Sequence, residues 1–380
     1  MGYFIRGTGD GRTPKEHEAE IFKQYILGTV FSSLMGKRGS GKSIIMDDKK
    51  FTGMAKGDTR AYHFVPQFMG AGIRGQNASY EGNEKSVKEF MTEVRVDEIG
   101  QAFRKKGKMT DMRTIINLRN EFKDQLANWF RVWTEYDIID ALTGYMYDGA
   151  SFVSGFSRDE DTGAAVVSGA ALTTPLVNGK GRCFRSQYTA AGFKNIVVGE
   201  ADTSNEALLG SIKAEDVMNT HLLDQLHEYG KTAGKYPMKP VRLKDGREYY
   251  ILMLYPAAAR MLRSDERWEK RVLANFQGCK SLESDPIATG AMGVWENIIV
   301  KEADYIPTIS NKAGDLTIAR NLLLGADAAV MAYAQTLNYM EKKFDYDREM
   351  GVAADEIRGI KKLTYDGVDL NVAQVPCAIG

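Results

Sequence analysis

The sequence has few of the residues that bind zinc or cross-link small folds. It contains three cysteines, Cys183, Cys279 and Cys377, which lie far apart and form no CxxC pair. They are too few to hold a chain of 380 residues together, and this usage is typical of a reducing cytoplasm. Of the four histidines, His221 and His227 are six residues apart and would lie on different faces of a helix. A zinc pair is therefore not expected.

An excess of charge of one sign is also missing. Fifty basic residues balance fifty acidic ones, whereas dedicated nucleic-acid-binding proteins usually carry a basic excess. No stretch approaches the roughly 18–20 apolar residues of a membrane span, and the segment 1–12 has no apolar core of signal-peptide length. These features predict a soluble chain of ordinary globular composition that does not contact a membrane.

Motifs for enzymatic chemistry are scarce, with no G-x-S-x-G and no H-E-x-x-H sequence. One segment, 36–43 (GKRGSGKS), does match the phosphate-binding loop of P-loop NTPases. In that loop, glycines let backbone amides face the phosphates, while a lysine and a hydroxyl, here Lys42 and Ser43, contact the phosphates and Mg²⁺. A P-loop NTPase is therefore the alternative function to be weighed.

The surroundings of this segment disfavour a nucleotide site. A phosphate-binding loop follows a strand and opens a helix. Here an amphipathic helix is expected to end at Gly36, and Gly53 and Gly57 follow too soon for a long helix. The best second acidic motif, at Glu200, is weak. We therefore expect no enzyme activity and no cofactor, and interpret 36–43 as a glycine-rich linker.

An acidic register near the C-terminus resembles a calcium-binding loop. Asp345, Asp347, Glu349 and Glu356 fall at positions 1, 3, 5 and 12 of an EF-hand, but the glycine, Gly351, stands at position 7 where the loop requires it at position 6. A solvated acidic turn explains the pattern better, so no metal site is expected.

Three patterns near the N-terminus define large elements. A capping box at Thr13 and apolar residues at helical spacing predict a helix that runs to Gly36. Two strand-like runs, 59–68 and 88–97, flank a charged, glycine-rich stretch and predict a two-stranded ribbon with a polar tip. An isolated hairpin is only marginally stable in water, so the ribbon must lie on its own body or on a neighbour.

The segment from Met109 to Thr143 contains neither proline nor glycine, and its apolar residues recur at spacings of three and four. It predicts a helix of about 35 residues and roughly 50 Å, about three times the usual length. Trp129 and Trp133 could stack nucleic-acid bases, but this spacing is more typical of a core. Packing on a sheet is favoured over a coiled coil, because no second long heptad run is present.

Shorter elements follow in the second half of the chain. The periodicity and the turn signals predict helices at 213–229, at 266–276 and from Pro256, and strands at 249–255, 294–305 and around 368–372. Between 148 and 205 only loops and short strands are expected.

The order of these elements is similar to that of a known family. It is carried by an ordered set of short segments, namely Gly57-Asp58, 80–84, Asp245-Gly246, Tyr255-Pro256, Leu262-Arg263, Trp268, Asp285-Pro286, Gly290, Gly293, Trp295, 324–326 and 359–362. The set resembles the major capsid proteins of tailed bacteriophages with the HK97-like fold, in the family typified by podoviruses related to the enterobacterial phage N-four. Asp285 departs from the family, where asparagine is expected before the proline.

The resemblance implies an α+β fold with an N-terminal arm (1–56) and an extended β-hairpin loop (57–104). It also implies a peripheral domain (105–235 and 335–380), whose spine helix spans 109–143, and an α/β axial domain (236–334).

The resemblance further implies a major capsid protein, made in the host bacterial cytoplasm, that self-assembles into pentamers and hexamers and forms the icosahedral shell of the virion. Its implied partners are copies of itself, scaffolding and portal proteins, possible cement proteins, and packaged double-stranded DNA bound without sequence specificity. Within the extended loop, four charged residues are expected to contact a neighbouring subunit: Arg74, Glu81, Glu84 and Lys85. No catalytic residue is expected.

Overall fold

The computed structural model describes most of the chain, with gaps at both termini and in several connecting segments. The described residues are 12–36, 43–48, 58–64, 81, 90–105, 118–159, 162, 164–168, 183–189, 192–198, 212–232, 238–243, 246–276, 290–310, 316–346, 348–365 and 368–379. They form an α+β fold built from two large sheets with helices packed against them.

The helices within this part of the chain are α1 (Arg12–Gly28), α2 (Leu118–Thr143), α3 (Thr220–Thr232), α4 (Pro256–Arg263) and α5 (Glu266–Phe276), with a 3-10 turn at Ser32–Leu34. The strands of the first half are β1 (Met35–Gly36), β2 (Ile45–Asp48), β3 (Thr59–Phe64), β4 (Phe90–Arg95), β5 (Asp97–Lys105), β6 (Phe156–Arg158), β7 (Ala165–Val167), β8 (Cys183–Thr189) and β9 (Gly192–Val198).

The strands of the second half are β10 (Val241–Arg242), β11 (Glu248–Leu254), β12 (Ala291–Trp295), β13 (Ile298–Glu302), β14 (Thr308–Ser310), β15 (Thr317–Leu324), β16 (Ala329–Phe344), β17 (Glu349–Lys362), β18 (Thr364–Tyr365), β19 (Val368–Asp369) and β20 (Val372–Ala378).

The first sheet is built around a long hairpin. Its order is β1-β2-β16-β17-β5, and the antiparallel strands β16 and β17 are by far its longest. The hairpin turns at Asp345 and Tyr346, which both have positive φ (48° and 49°). Helices α1 and α2 cover one face, where Tyr25 and Phe130 pack with Val352 in one apolar cluster.

The second sheet has the order β12-β13-β11-β15-β20-β8-β9. Outside this order, β10 pairs with β11 and β14 pairs with β15. Its central strand β11 is buried on both faces, which explains the continuous apolar run that predicted it. Alternate residues enter separate cores, with Ile251 packing toward α2 and Leu252 toward α3, α4 and α5.

Helix α2 connects the two sheets. Leu126 and Phe130, in its first half, pack on the first sheet, and Ile139 and Leu142, in its second half, belong to a core shared with the second sheet. The helix ends as predicted at Thr143, followed by Gly144 at φ 88°. Residues 109–117 of the predicted helix lie outside the described residues.

Two predicted helix boundaries were wrong for the same reason, namely contacts with distant residues. Helix α1 ends at Gly28, not at Gly36. A Cβ on Gly28 would lie 2.6 Å from the Arg131 side chain, and the Val30 amide after it donates to Glu135 of α2. Helix α3 begins at Thr220, not at 213, because Asp265 accepts hydrogen bonds from the amide and hydroxyl of Thr220.

One predicted strand was also wrong in detail. The segment 294–305 is not one strand but parts of the antiparallel pair β12 and β13, which turn at Glu296 with φ 49°. The predictions of β11, α4 and α5 are confirmed. Where the structure describes the chain, no helix is long and apolar enough to cross a bilayer.

Candidate functional site

The predicted ribbon is present as the antiparallel pair β3 and β4. The pairing runs from Thr59 opposite Arg95 to Phe64 opposite Phe90. The described strands are shorter than predicted, and the tip of the ribbon, apart from Glu81, lies outside the described residues. The ribbon described below is therefore its root.

The root lies on the body of its own subunit. Tyr62 and Val94 are buried against Met46 of β2 and Val330 of β16. An ion pair between Arg60 and Asp48 (3.0 Å) adds a polar contact to the same surface. The described strands therefore lie on their own body, the first of the two placements that the sequence left open, and their other face is turned away from it.

That other face is exposed to solvent. His63, Met91 and Glu93 point away from the first sheet, and Met91 is 55% exposed. A large apolar side chain on an exposed strand face is available for contact with another molecule.

Two glycines allow the root to cross the body closely. A Cβ on Gly359 would lie 1.9 Å from the carbonyl oxygen of Arg95, and one on Gly149 would lie 2.6 Å from the same oxygen. The Arg95 amide also donates to the Asp148 carbonyl oxygen (2.9 Å). Backbone packing therefore fixes the direction in which the ribbon leaves the body.

The aromatic residues of α2 pack against one another at tilted or edge-to-face angles, and Tyr136 packs edge-to-face on Tyr305. Centroid distances are 5.7 Å between Trp129 and Trp133, 5.6 Å between Trp133 and Tyr136, and 4.7 Å between Tyr136 and Tyr305. Both tryptophans are half-buried. This arrangement favours the core interpretation over a platform for stacking nucleic-acid bases.

A buried ionic network joins α1, α2 and β17. Arg358 donates to Asp137 (2.6 Å) and Thr134 (2.5 Å) of α2, and it also pairs with Glu356. The Tyr25 hydroxyl of α1 donates to Glu356 (2.7 Å).

Burial governs the ionisation of this network. Desolvation raises the pKa of Asp137 and of Glu356, against the lowering effect of Arg358. Burial alone would lower the pKa of Arg358, but Glu356 and Asp137 outweigh it and raise that pKa. Each charge therefore depends on its partners, which makes the network a structural clamp.

A second buried ion pair, between Arg158 and Asp140, lies beside the C-terminal half of α2. Arg158 donates to both carboxylate oxygens of Asp140 (2.8 and 2.6 Å) and lies 4.0 Å above the ring of Tyr136. Burial raises the pKa of Asp140 to about 6 despite these hydrogen bonds.

The phosphate-loop-like segment 36–43 does not have the required surroundings. The predicted helix is present but ends at Gly28, and Gly36 belongs to the two-residue strand β1. Strand β2 follows the segment, at the place where a phosphate loop would open a helix. Ser43 is buried, and its carbonyl oxygen accepts from the Asp327 amide (3.0 Å). The fold therefore does not support an NTPase, although residues 37–42 lie outside the described part.

The calcium-loop register is not formed. Asp345 stands in the turn between β16 and β17, whereas Glu349 and Glu356 lie in strand β17, and a strand takes the place of the flanking helix. Glu349 pairs with Arg104 (2.5 Å), and Glu356 is committed to the buried network. Within the described ranges, no group of His, Cys, Asp or Glu side chains is placed to hold a metal ion.

Comparison with known proteins decides the family. The sequence pattern of the family described as "Phage capsid protein" matches residues 7–376. The chain belongs to the phage capsid protein family. This capsid protein is also 26% identical over 325 residues to the major capsid protein of Pseudomonas phage KPP25, a match that covers 82% of this chain and 80% of that protein.

Solved phage shells show the same fold as this capsid protein. The capsid of cyanophage Pam1 matches with a TM-score of 0.70 and 21% identity over 100% of this chain and 99% of that one. The capsid of Ralstonia phage GP4 matches with a TM-score of 0.68 and 21% identity over 92% and 91% of the two chains. The head of Helicobacter pylori bacteriophage KHP40 matches with a TM-score of 0.60 and 16% identity over 93% of this chain and 91% of that one. The HK97-like capsid fold implied by the resemblance is therefore present.

The structure brings together residues that the sequence did not single out. Of the charged residues expected to contact a neighbour, Glu81 is an exposed turn residue, and Arg74, Glu84 and Lys85 lie outside the described residues. The buried network of this capsid protein was missed. A signal existed, because Glu356 and Arg358 are two residues apart and so share one face of a strand.

Proposed function

We propose that the chain is the major capsid protein of a tailed phage, and that its copies join into pentamers and hexamers that close an icosahedral shell around the genome. The observation that carries this proposal is the family match, which spans residues 7–376. The agreement of the fold with phage shells over the whole chain supports it.

Within this function we assign the regions as follows. Residues 1–56 form the N-terminal arm, 57–104 the extended loop, 105–235 and 335–380 the peripheral domain with spine helix 109–143, and 236–334 the axial domain. The two large sheets, the first built on the β16–β17 hairpin and the second around β11, support a division into two lobes, with β8, β9 and β20 of the peripheral ranges completing the second sheet. Because α2 packs on both sheets, we assign it the role of a brace that keeps the subunit rigid.

The anchored root of the ribbon supports a role for its tip in assembly. Gly359 and Gly149 fix the direction of the ribbon at its base, and its outer face is open. We propose that the tip lies across the neighbouring subunit, where Arg74, Glu81, Glu84 and Lys85 make contacts. Such head-to-tail contacts use different surfaces on the two copies and generate rings when the rotation closes.

The remaining assignments follow from this role. We place the chain with podoviruses related to the enterobacterial phage N-four, made in the host bacterial cytoplasm and then built into the virion. The partners are scaffolding, portal and possible cement proteins, and double-stranded DNA packed without sequence specificity. The zero net charge supports the last point, because a specific DNA-binding protein would carry a basic excess.

The proposal is tested by expressing the chain, separating it by size exclusion and imaging the void fraction by negative stain. Closed particles or rings of five and six subunits are expected. Open tubes or small soluble oligomers would instead favour a tail or scaffolding protein. ATP hydrolysis abolished by Lys42→Ala would contradict the assignment as a structural protein.

A further inference from the structure

A pocket opens beside the junction of α2, β5 and β17. Its volume is about 180 Å³, and its lining includes Trp133 and Asp137 of α2, Glu98 of β5, Arg358 of β17, and Phe152. Phe152 is 39% exposed, so part of its ring is open to contact from outside. An apolar cavity of about 150 Å³ accommodates benzene, so this pocket has room for one aromatic ring.

The pocket also holds unused hydrogen-bonding capacity. Asp137 accepts from Arg358 through Oδ2, which leaves Oδ1 able to accept another bond. The Asp137 side chain is 12% exposed, so a group in the pocket is able to reach it. A phenol hydroxyl fits, because it donates a hydrogen bond to such a carboxylate oxygen.

This chain presents a tyrosine in the opposite situation. Tyr346 is 100% exposed at the end of the β16–β17 hairpin, the longest hairpin among the described residues. It adopts φ 49° and Asp345 adopts φ 48°, angles that tight hairpin turns require, so the turn itself holds the Tyr346 side chain in solvent.

Tyr346 cannot reach the pocket of its own subunit. Arg358 lies nine residues along strand β17 from its first residue, Glu349, which at about 3.3 Å per residue amounts to roughly 30 Å beyond the turn that holds Tyr346. We propose that Tyr346 of one copy inserts into the pocket of a neighbouring copy, with its ring between Trp133 and Phe152 and its hydroxyl donating to Asp137.

The inference rests on the proposed function, since it requires assembly. The tyrosine and its pocket lie at opposite ends of the β17 strand, so the contact joins different surfaces of the two copies. Such a heterologous contact propagates around a ring or between rings, as a closed shell requires. Tyrosines buried in a central pocket are among the residues that carry most of the binding energy of an interface.

The direct test is photo-cross-linking in assembled particles. p-Benzoylphenylalanine is placed at position 346 and irradiated, and the cross-linked peptides are identified by mass spectrometry. We expect covalent dimers in which position 346 is joined to a peptide that contains residues 146–152 or Trp133. The matched control is the same probe at Met340, which is exposed on the same hairpin and is expected to leave the pocket peptides unmodified.

Substitutions measure how much the contact contributes. Tyr346→Ser is expected to raise the protein concentration needed for assembly by about tenfold or more, in line with the loss of an interface hot spot. Tyr346→Phe keeps the ring and is expected to have an intermediate effect. Tyr147→Ser, at another exposed tyrosine, is the control and is expected to leave assembly unchanged. Because the Tyr346 side chain is fully exposed, its variants should unfold at the same urea concentration as the unmodified chain.

The outcomes separate this inference from the function on which it rests. Particles that assemble normally with Tyr346→Ser, or cross-links that map outside the pocket, overturn the inference and leave the capsid role intact. Failure of the unmodified chain to form any ring or particle overturns the proposed function and the inference together.

Discussion

Arg358 is a charged side chain buried in strand β17 of the first sheet. Its guanidinium pairs with both Asp137 and Glu356, and all three side chains are largely buried. Removing one partner of a buried ion pair typically costs about 3–5 kcal/mol, because the remaining charges stay buried without compensation.

Arg358→Gln is therefore expected to lower the free energy of unfolding by about 3–5 kcal/mol. Arg242→Gln is the matched control, because Arg242 pairs with Glu248 at the surface (3.0 Å), and such pairs contribute at most about 1 kcal/mol. Urea unfolding of unassembled subunits measures both variants. Equal losses for the two would show that the network is not a clamp.

The burial of Lys301 is expected to make the stability of the protein depend on pH. Lys301 is buried in β13, where its ammonium group donates to the Ser33 hydroxyl (3.2 Å), and burial lowers its pKa to about 8 from the ordinary 10.5. Between these two values the unfolded chain binds more protons than the folded chain, so this group makes stability rise as the pH increases from about 8.

Lys301→Met is expected to stabilise the subunit at pH 7 by an amount on the order of 3 kcal/mol, since each pKa unit corresponds to about 1.4 kcal/mol. It should also reduce the rise in stability between pH 8 and pH 10. Lys270→Met is the control, because Lys270 is exposed and pairs with Glu266 on the surface of α5. Urea unfolding at pH 7 and pH 9.5 checks the prediction, and an unchanged pH dependence in Lys301→Met would refute it.

Single residues were the hardest part to predict from the sequence. Arg358, Asp137 and Tyr25 come from three elements that are distant along the chain, and nothing local shows that they meet. The calcium-loop register, which the sequence already disfavoured, does not form because Glu356 belongs to a buried strand. The phosphate-loop match was likewise disfavoured, but its spacing alone does not show that strand β2 follows it.

At the scale of elements, the crossing of the ribbon root over β17 depends on Gly359. Its absent side chain allows the Arg95 carbonyl to pass, and an added Cβ would lie at 1.9 Å from that oxygen. A backbone oxygen cannot move aside as easily as the end of a flexible side chain.

Gly359→Ala is therefore expected to loosen the ribbon root and to destabilise the subunit by roughly 1–3 kcal/mol, as for other overpacked sites. Faster amide exchange at Arg95 and Val96 would confirm the local effect. In the control Gly351→Ala, the added Cβ meets only the ring of Phe344 at 2.8 Å, which is able to rotate away. If the root is protected equally in both variants, Gly359 does not position the ribbon.

The ribbon tip can be tested by removing it. Deleting residues 70–85, which lie mostly outside the described part of the chain, is expected to leave a folded subunit, because β3 and β4 are anchored through Tyr62 and Val94. The same deletion is expected to abolish closed shells. Circular dichroism checks the fold and electron microscopy checks assembly. Normal particles from the shortened chain would contradict the role of the tip.

Elements with local signals were predicted well. Helix α2 and strand β11 show clear periodicities, and the ribbon strands alternate, so each was recognised at nearly its correct place. The β16–β17 hairpin was not recognised. Its turn at Asp345 and Tyr346 lacks glycine and proline, and β16 begins within an alanine-rich stretch that has no strand signal of its own.

At the scale of the whole molecule, the order of the elements indicated the family and the fold, because the capsid resemblance depended on their succession along the chain. Which strands pair was not predictable from that order. The first sheet joins β2 and β5 to a hairpin more than 200 residues further along the chain, and such long-range pairing leaves no local trace. The contacts between subunits are harder still to predict from the sequence, because they depend on how the folded subunits meet.

The central claim is that this subunit is built to assemble with its own copies. Cryo-electron microscopy of the purified protein tests it most directly. We predict closed shells made of rings of five and six subunits, in which residues 65–89 of each copy lie on a neighbour. A compact, lasting monomer with that segment packed on its own body would contradict the account.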